Sequence, residues 1–285
     1  MTLRVASCAW KIERSTGDGW LARLDALAAQ AGAGGAQLLL LPEYASMEAA
    51  AGEAPDVNAE LARATLASAG LVDGAREIAR ARGLWLVPGS LPFRDPDGAV
   101  RNRAPLISPE GSVRFQDKHV MTRFEAEEWG VRQGAPPAVF ETPWGRIGIA
   151  ICFDAEFPDL VRAQVAAGAW LILVPSCTDT MHGFHRVRLA AAARAMENQC
   201  YVALAHTVGN AAWSGALDTN RGYAAVFGPV DRGFPEDGVL GRTALDEGAL
   251  LFATLDPARL AEVRNEGAVR NHLSWPEAPP PCRVL

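Results

Sequence analysis

The segment Gln37-Leu38-Leu39-Leu40-Leu41-Pro42-Glu43 places four consecutive leucines, a proline and then an acid in a row. A short, continuous apolar run closed by a proline reads as a buried strand, and Glu43 is then the residue the strand delivers at its exit. Working outward, Trp20 to Ala31 sets Trp20, Leu24, Leu27 and Ala31 on one face of a helix, and Leu3 to Trp10 reads as a strand ahead of it. The glycines of Ala31-Gly32-Ala33-Gly34-Gly35 follow a helix and precede a strand. A dinucleotide-binding loop requires the reverse order, so they read as a helix stop.

Downstream, Asn58 to Arg82 is rich in Ala and Leu at helical period, and Leu84 to Val87 is the next strand. The middle of the chain changes character. Asp95-Pro-Asp-Gly98, Ser108-Pro-Glu-Gly111 and Thr142-Pro-Trp-Gly145 are turn signals between short strands, which predicts hairpins. Alternation then resumes: a strand over Arg146 to Cys152, a helix over Leu160 to Ala167, a strand over Trp170 to Val174 and a helix over Phe184 to Asn198. Gln199 to His206, Gly222 to Phe227 and Ala249 to Leu255 close the sheet system. Helices alternating with strands, with hairpins among them, imply an α/β layered sandwich with mixed sheets. No linker or internal repeat interrupts it, so residues 1–285 read as one domain with a core over residues 3–256. The remaining tail over residues 257–285 includes the Pro-rich Trp275 to Cys282 and is assigned to a surface, with a subunit interface as one option.

Composition narrows the class. Hydrophobic residues at 49% and charged residues at 21% describe a globular chain rather than a disordered one. The net charge of −6 comes with Lys and Arg scattered along the sequence, which leaves no footprint for a nucleic acid. No segment approaches the roughly 20 apolar residues of a membrane span. The start, Met1 to Ser15, is too interrupted by charge for a signal peptide. Five widely spaced cysteines with no CxxC pair point to neither a disulfide framework nor a zinc knuckle. The expectation is a reduced, cytoplasmic protein.

Ligands of open α/β sheets bind outside the carboxyl ends of the strands, so the residues at those ends carry the chemical argument. Glu43 follows the leucine strand, Lys118 follows Ser112 to Asp117, Cys152 follows Gly148-Ile149-Ala150-Ile151, and Cys177 follows Leu171 to Val174 by way of Pro175-Ser176. A carboxylate, an ammonium and a thiol at three exits are the parts of a nucleophilic hydrolase. A free thiol is little ionised at neutral pH, so Cys152 needs a base, for which Glu43 is the candidate. Lys118 is the candidate for stabilising charge on a carbonyl oxygen, with a backbone N–H of the Cys152-Phe153-Asp154 turn, that of Phe153, as a second donor.

Taken together, Pro42-Glu43, Lys118 and Gly148-Ile-Ala-Ile-Cys152-Phe-Asp154 resemble the three signature segments of the nitrilase, or carbon–nitrogen hydrolase, superfamily. Order, spacing and strand-end placement agree, over about residues 3–256. The resemblance implies a four-layer αββα sandwich with two mixed β-sheets, a Glu43–Lys118–Cys152 triad, a thioester acyl-enzyme and no cofactor. It implies a second glutamate after the lysine, which Glu125 matches and which would orient the substrate amide and Lys118; Glu127 and Glu128 stand close by as alternatives. It also implies a homodimer or larger homo-oligomer, packed through helices flanking the Cys152 strand. Arg194 to Tyr201 resembles a helix–strand junction whose charges are structural. One departure is Glu156, where many amidase-like members carry arginine.

Several residues keep two readings. Cys152 in isolation is a buried apolar cysteine, and the Glu125, Glu127 and Glu128 group in isolation is a solvated acidic face. Trp129 is a core residue or a substrate contact, while Cys177 and Thr178 are pocket candidates, with a structural thiol the alternative for Cys177. His182 and His185 near Cys177 match no zinc spacing, so no metal site is assigned. His206 reads as a packed histidine. The sequence thus predicts a hydrolase of small, linear amides. N-carbamoyl amidohydrolase and nitrilase chemistry on the same triad, a Cys–His hydrolase, and a non-catalytic scaffold on the same fold are the rivals.

Overall fold

The strand β1 (Leu3–Lys11) sends alternate side chains into two different cores, and that division organises the molecule. The computed structural model describes residues 1–52 and 55–276. After β1 come α1 (Gly17–Ala33), β2 (Leu38–Leu40), α2 (Val57–Arg82) and β3 (Trp85–Val87). β1, β2 and β3 run parallel, in a register that sets Val5 beside Leu38 and Leu38 beside Trp85. Then follow β4 (Leu91–Arg94), β5 (Val100–Ile107) and β6 (Val113–Asp117), paired antiparallel through the two expected turns.

The short α3 (Arg123–Glu127) leads to the second half: β7 (Val139–Thr142), β8 (Gly145–Ile149), α4 (Pro158–Ala166), β9 (Leu171–Ser176), α5 (Met181–Asn198) and β10 (Tyr201–Asn210). β8, β9 and β10 are parallel, and β7 is the antiparallel edge beyond β8. β11 (Thr219–Asn220), β12 (Ala225–Phe227), β13 (Val239–Arg242), β14 (Ala249–Leu255) and α6 (Pro257–Glu266) complete the chain order. β14 lies antiparallel along β1, from Leu3 beside Leu255 to Ala9 beside Ala249. The two halves are joined as one hydrogen-bonded system where Ala9 to Lys11 of β1 pair with His206 to Val208 of β10.

Side-chain alternation explains the layers. Val5, Leu38, Leu40 and Val87 pack in the same core as Ile147, Ile149 and Leu171 from the other half, so the sheets stack face to face. Ala6, Cys8, Leu39 and Leu41 point the opposite way, onto Trp20, Leu24 and Ala28 of α1 and the apolar side of α2. On the far side Gly148 of β8 faces α4: a Cβ there would lie 2.8 Å from Ile172 Cδ1 and 2.9 Å from the Gln164 side chain. The order is therefore helix, sheet, sheet, helix, the αββα arrangement. Leu38 to Leu41 are wholly buried, and each such leucine stabilises the fold by roughly 1.5–3 kcal/mol.

Helix ends follow local chemistry. Thr16, Asp56 and Thr180 cap α1, α2 and α5 by accepting from Gly19, Ala59 and Gly183 N–H groups. α1 stops at the expected glycines, with Gly34 as its cap. The expected boundary at residue 256 is corrected by α6, whose Leu260 and Val263 are buried, so the packed core runs through this helix. Trp275 also returns to the fold, donating from Nε1 to the Glu197 carbonyl at 3.0 Å. Residues 277–285, with Cys282 and most of the Pro-rich segment, lie outside the described residues.

Candidate active site

The exit of β2 is held by backbone bonds on both sides of Glu43. Leu41 N–H donates to Val87 O at 2.8 Å and Tyr44 N–H to Ser90 O at 2.9 Å. Gly89 makes this approach possible. It has φ +92°, and a Cβ there would sit 2.0 Å from the Pro42 carbonyl oxygen. Tyr44 takes a left-handed conformation, φ 58°, and together these turns put Glu43 into the interior, 2% exposed.

There it meets Lys118, itself 1% exposed. Lys118 Nζ donates to Glu43 Oε1 at 2.8 Å and to Glu125 Oε2 at 2.6 Å. An ammonium has three N–H donors, and the two carboxylates occupy two. Glu125 also accepts from Tyr44 Oη at 2.8 Å, Asn102 Nδ2 at 3.0 Å, Thr122 N at 2.9 Å and Thr122 Oγ1 at 2.8 Å. Burial alone would depress the Lys118 ammonium, but Glu125 and Glu43 outweigh it and hold the group well above its ordinary range. Burial opposes ionisation of Glu125, yet Lys118 and the donors around it bring its carboxyl below the usual value. Burial dominates at Glu43 and pushes it up, with Lys118 acting against the shift.

Cys152 opens a 3-10 turn over Cys152–Glu156 after β8, in a left-handed conformation with φ 48°. A non-glycine residue there is strained, a cost that functional sites often carry. The turn is fastened on two sides. Asp154 accepts from the backbone N–H groups of His119 and Val120, the shortest at 2.7 Å, which ties it to the exit of β6 beside Lys118. Arg194 of α5 donates from Nη1 to Ala155 O at 3.1 Å and pairs with Glu197, in keeping with a structural role. Cys152 Sγ lies 3.6 Å from the Cys177 carbonyl oxygen. Burial and then the Glu43 carboxylate push the Cys152 thiol well above its normal value. Both influences favour the protonated thiol.

These groups open onto a cavity of about 470 Å³. Glu43, Lys118, Glu125 and Cys152 all line it, as do Trp129, Phe153, Cys177 and Thr178. Of the three neighbouring glutamates only Glu125 is buried; Glu127 pairs on the surface with Arg123. Thr122-Arg-Phe-Glu125 is a complete capping box for α3, a sequence signal that separates Glu125 from its neighbours. Cys177 contributes its backbone N–H to Glu43 Oε2 at 3.1 Å, while its thiol turns to Asn220 and burial pushes it up to about 12. Glu156 lines the cavity and pairs with Arg186 at 3.4 Å.

Tyr44, Gly89, Asn102 and Thr122 are among the site residues that sequence reasoning did not single out, and Asp154 was named there only as part of the Cys152 segment. Among the described residues no His lines the cavity. His206 is buried with Nδ1 3.1 Å from Tyr223 O, and desolvation lowers it to about 4, so it is a neutral packed histidine. His182 and His185 are exposed on α5. Among the described residues no cluster of His, Cys, Asp and Glu has metal-binding geometry, and no helix is long and apolar enough to cross a membrane.

Comparison with known proteins identifies relatives of this chain. A family model described as carbon-nitrogen hydrolase matches residues 4–265. The chain is 35% identical over 182 residues to the probable hydrolase YhcX of Bacillus subtilis, covering 64% of this chain and 36% of that longer protein. It is 28% identical over 203 residues to the omega-amidase NIT2 of Xenopus tropicalis, covering 68% of this chain and 69% of the relative. A crystal structure of an amidase from Nesterenkonia sp. superposes with a TM-score of 0.75 at 29% identity, covering 93% and 94% of the two chains.

Proposed function

The chain belongs to the carbon–nitrogen hydrolase family, and on that premise we propose that it is an amidase of small, linear amides working through a thioester on Cys152. One observation carries the reading. A lysine ammonium fixed between two buried carboxylates, its third N–H without a partner among the described residues, shares a cavity sized for a small molecule with a buried thiol whose charge it influences. The proposed course begins as Cys152 Sγ attacks the amide carbon and its proton passes to Glu43. The carbonyl π pair moves onto oxygen, where Lys118 and the Phe153 N–H receive it. Glu43 then protonates the leaving nitrogen, the carbon–nitrogen bond breaks, and ammonia or an amine departs. Water, losing a proton to Glu43, attacks the thioester; the carboxylic acid leaves and the proton returns to sulfur.

Glu125 is assigned to hold Lys118 and to face the substrate amide. The named relatives support this choice over nitrile or carbamoyl chemistry, since one is an omega-amidase and another an amidase. A free thiol nucleophile is at home in a reducing cytoplasm, which belongs to the same reading. So does a homodimer formed along α4 and α5, where Phe157, Leu189 and Met196 are exposed; Leu189→Glu should then shift the light-scattering mass to that of one chain. The function is tested by ammonia release from a panel of small amides, ureido acids and nitriles, with Cys152→Ala beside the wild-type protein. Release from the amides alone, lost in the variant, is the expected result. Release from ureido acids or nitriles instead would replace the amidase reading, and silence with every class would favour a non-catalytic scaffold.

A further inference from the structure

Asn102 lies behind the cavity rather than in it: it sits on β5, wholly buried, and is not among the lining residues. Its Nδ2 donates to Glu43 Oε1 at 2.8 Å and to Glu125 Oε1 at 3.0 Å, and its backbone carbonyl accepts from Lys118 N–H at 2.8 Å. Both side-chain partners are carboxylate oxygens, so the nitrogen has to face them. The opposite face of the amide, Oδ1, is buried with no partner among the described residues. A single residue therefore touches all three charged members of the cluster and leaves one of its own polar atoms unsatisfied in doing so.

The consequence falls on Glu43. Its Oε1 accepts two strong donors, Lys118 Nζ and Asn102 Nδ2, both at 2.8 Å. Its Oε2 accepts one backbone N–H, from Cys177 at 3.1 Å, and the Cys177 carbonyl is the group that Cys152 Sγ approaches. Hydrogen bonds to a carboxylate stabilise its charged form and lower the basicity of the oxygen that accepts them. Oε1 is thereby the poorer base and Oε2 the better one.

We propose that Asn102 is a positioning residue that makes Glu43 a directional base. By sharing Oε1 with Lys118 it reserves Oε2 for the Cys152 proton, and by bridging to Glu125 it fixes the two carboxylates around one cation. In the reaction the Sγ–H bond breaks toward Oε2 as the Sγ–C bond forms, and Oε2 later returns that proton to the leaving nitrogen. This rests on Glu43 being the base, as proposed above.

The test compares wild-type protein, Asn102→Ala, Asn102→Asp and Glu43→Gln, using ammonia release from propionamide across pH and, in parallel, infrared titration of the carboxyl band that disappears in Glu43→Gln. Losing the Asn102 donor destabilises the Glu43 carboxylate. In Asn102→Ala both the Glu43 band and the acidic limb of kcat should move to higher pH by roughly one unit. kcat at neutral pH should fall by about tenfold or more, with KM changing less. Asn102→Asp occupies the same volume and adds a third acid, so it should move the limb the same way and serves if the alanine variant does not fold. A kcat loss equal at every pH, with the Glu43 band unmoved, would overturn the proposal and leave Asn102 a packing residue. Full turnover by Glu43→Gln would instead remove the mechanism on which it rests.

Discussion

Replacing Lys118 by methionine takes away the cation that Glu43 and Glu125 share while keeping most of the side-chain volume. Breaking a buried ion pair by deleting one partner costs about 3–5 kcal/mol, because the other charge is stranded. Two carboxylates are stranded here, but each keeps other donors. Glu125 retains Tyr44, Asn102 and Thr122, and Glu43 retains Asn102 and the Cys177 N–H. The penalty at pH 8 is therefore placed at about 3–5 kcal/mol rather than double that, and for a chain of this size it lowers Tm by roughly 6–15 °C. The pH dependence has a definite sign. In the wild-type protein Glu125 sits below its usual value, so its contribution is present above the ordinary glutamate range and lost as pH falls through its folded value. Lys118 sits well above its usual value, so its contribution is full below the ordinary lysine range and lost only at higher pH. Without the ammonium both carboxylates move up, and their penalty is present at pH 8 but relieved by protonation as pH falls. Urea denaturation of both proteins at pH 8 and pH 5.5 should give a difference that shrinks on acidification. A difference below about 1 kcal/mol at pH 8, or one that is equal at both pH values, would refute the shared-cation account. The same variant should lose about 10²–10³ in kcat if Lys118 holds the oxyanion.

Three further outcomes follow from the same geometry. Cys177 serves Glu43 through its backbone, so Cys177→Ser should keep ammonia release within about threefold, whereas Cys152→Ser should lose at least roughly 10³; parallel loss in both would contradict the assignment of the nucleophile. Gly89→Ala forces a Cβ against the Pro42 carbonyl at a positive φ, and should cost more than about 2 kcal/mol in thermal or urea unfolding; it should also cut kcat by tenfold or more through the displaced Glu43. Burial raises Asp154 from 3.8 to about 6, so the stability associated with its protonated form is present below its unfolded value and lost as pH rises through about 6. Going from pH 4 to pH 7 should therefore cost the wild-type protein about 2 kcal/mol more than Asp154→Asn, and identical pH curves in urea would refute this.

The legible parts of the sequence were those where pattern and position coincide. The leucine strand, the helix over Trp20 to Ala31 and the paired turns around residues 95–98 and 108–111 rest on periodicity and turn chemistry that tertiary context did not override. Strand exits pointed to Glu43, Lys118 and Cys152, which line one cavity, because the carboxyl ends of parallel strands face the same side of the sheet. Glu125 was separable from Glu127 and Glu128 by its capping box, a local signal that the charge pattern obscured. Asn102 and Tyr44 were not readable, since a polar residue within a strand and a tyrosine after a glutamate acquire meaning only when residues far apart in sequence converge: Asn102 lies 59 residues from Glu43, and Tyr44 lies 81 from Glu125. The helix over Pro257–Glu266 was hidden by its charge; only Leu260 and Val263 are buried, too few to show a period.

The central claim is that Cys152 carries the acyl group. Its most direct test is peptide mass spectrometry of protein acid-quenched during turnover of propionamide, with wild-type, Glu43→Gln and Cys152→Ala proteins compared. The account predicts a propionyl group on the peptide containing Cys152 in wild-type protein, and none at that position in Cys152→Ala, which should also release no ammonia. Ammonia release by Cys152→Ala, or an acyl group carried by any other residue, would contradict it.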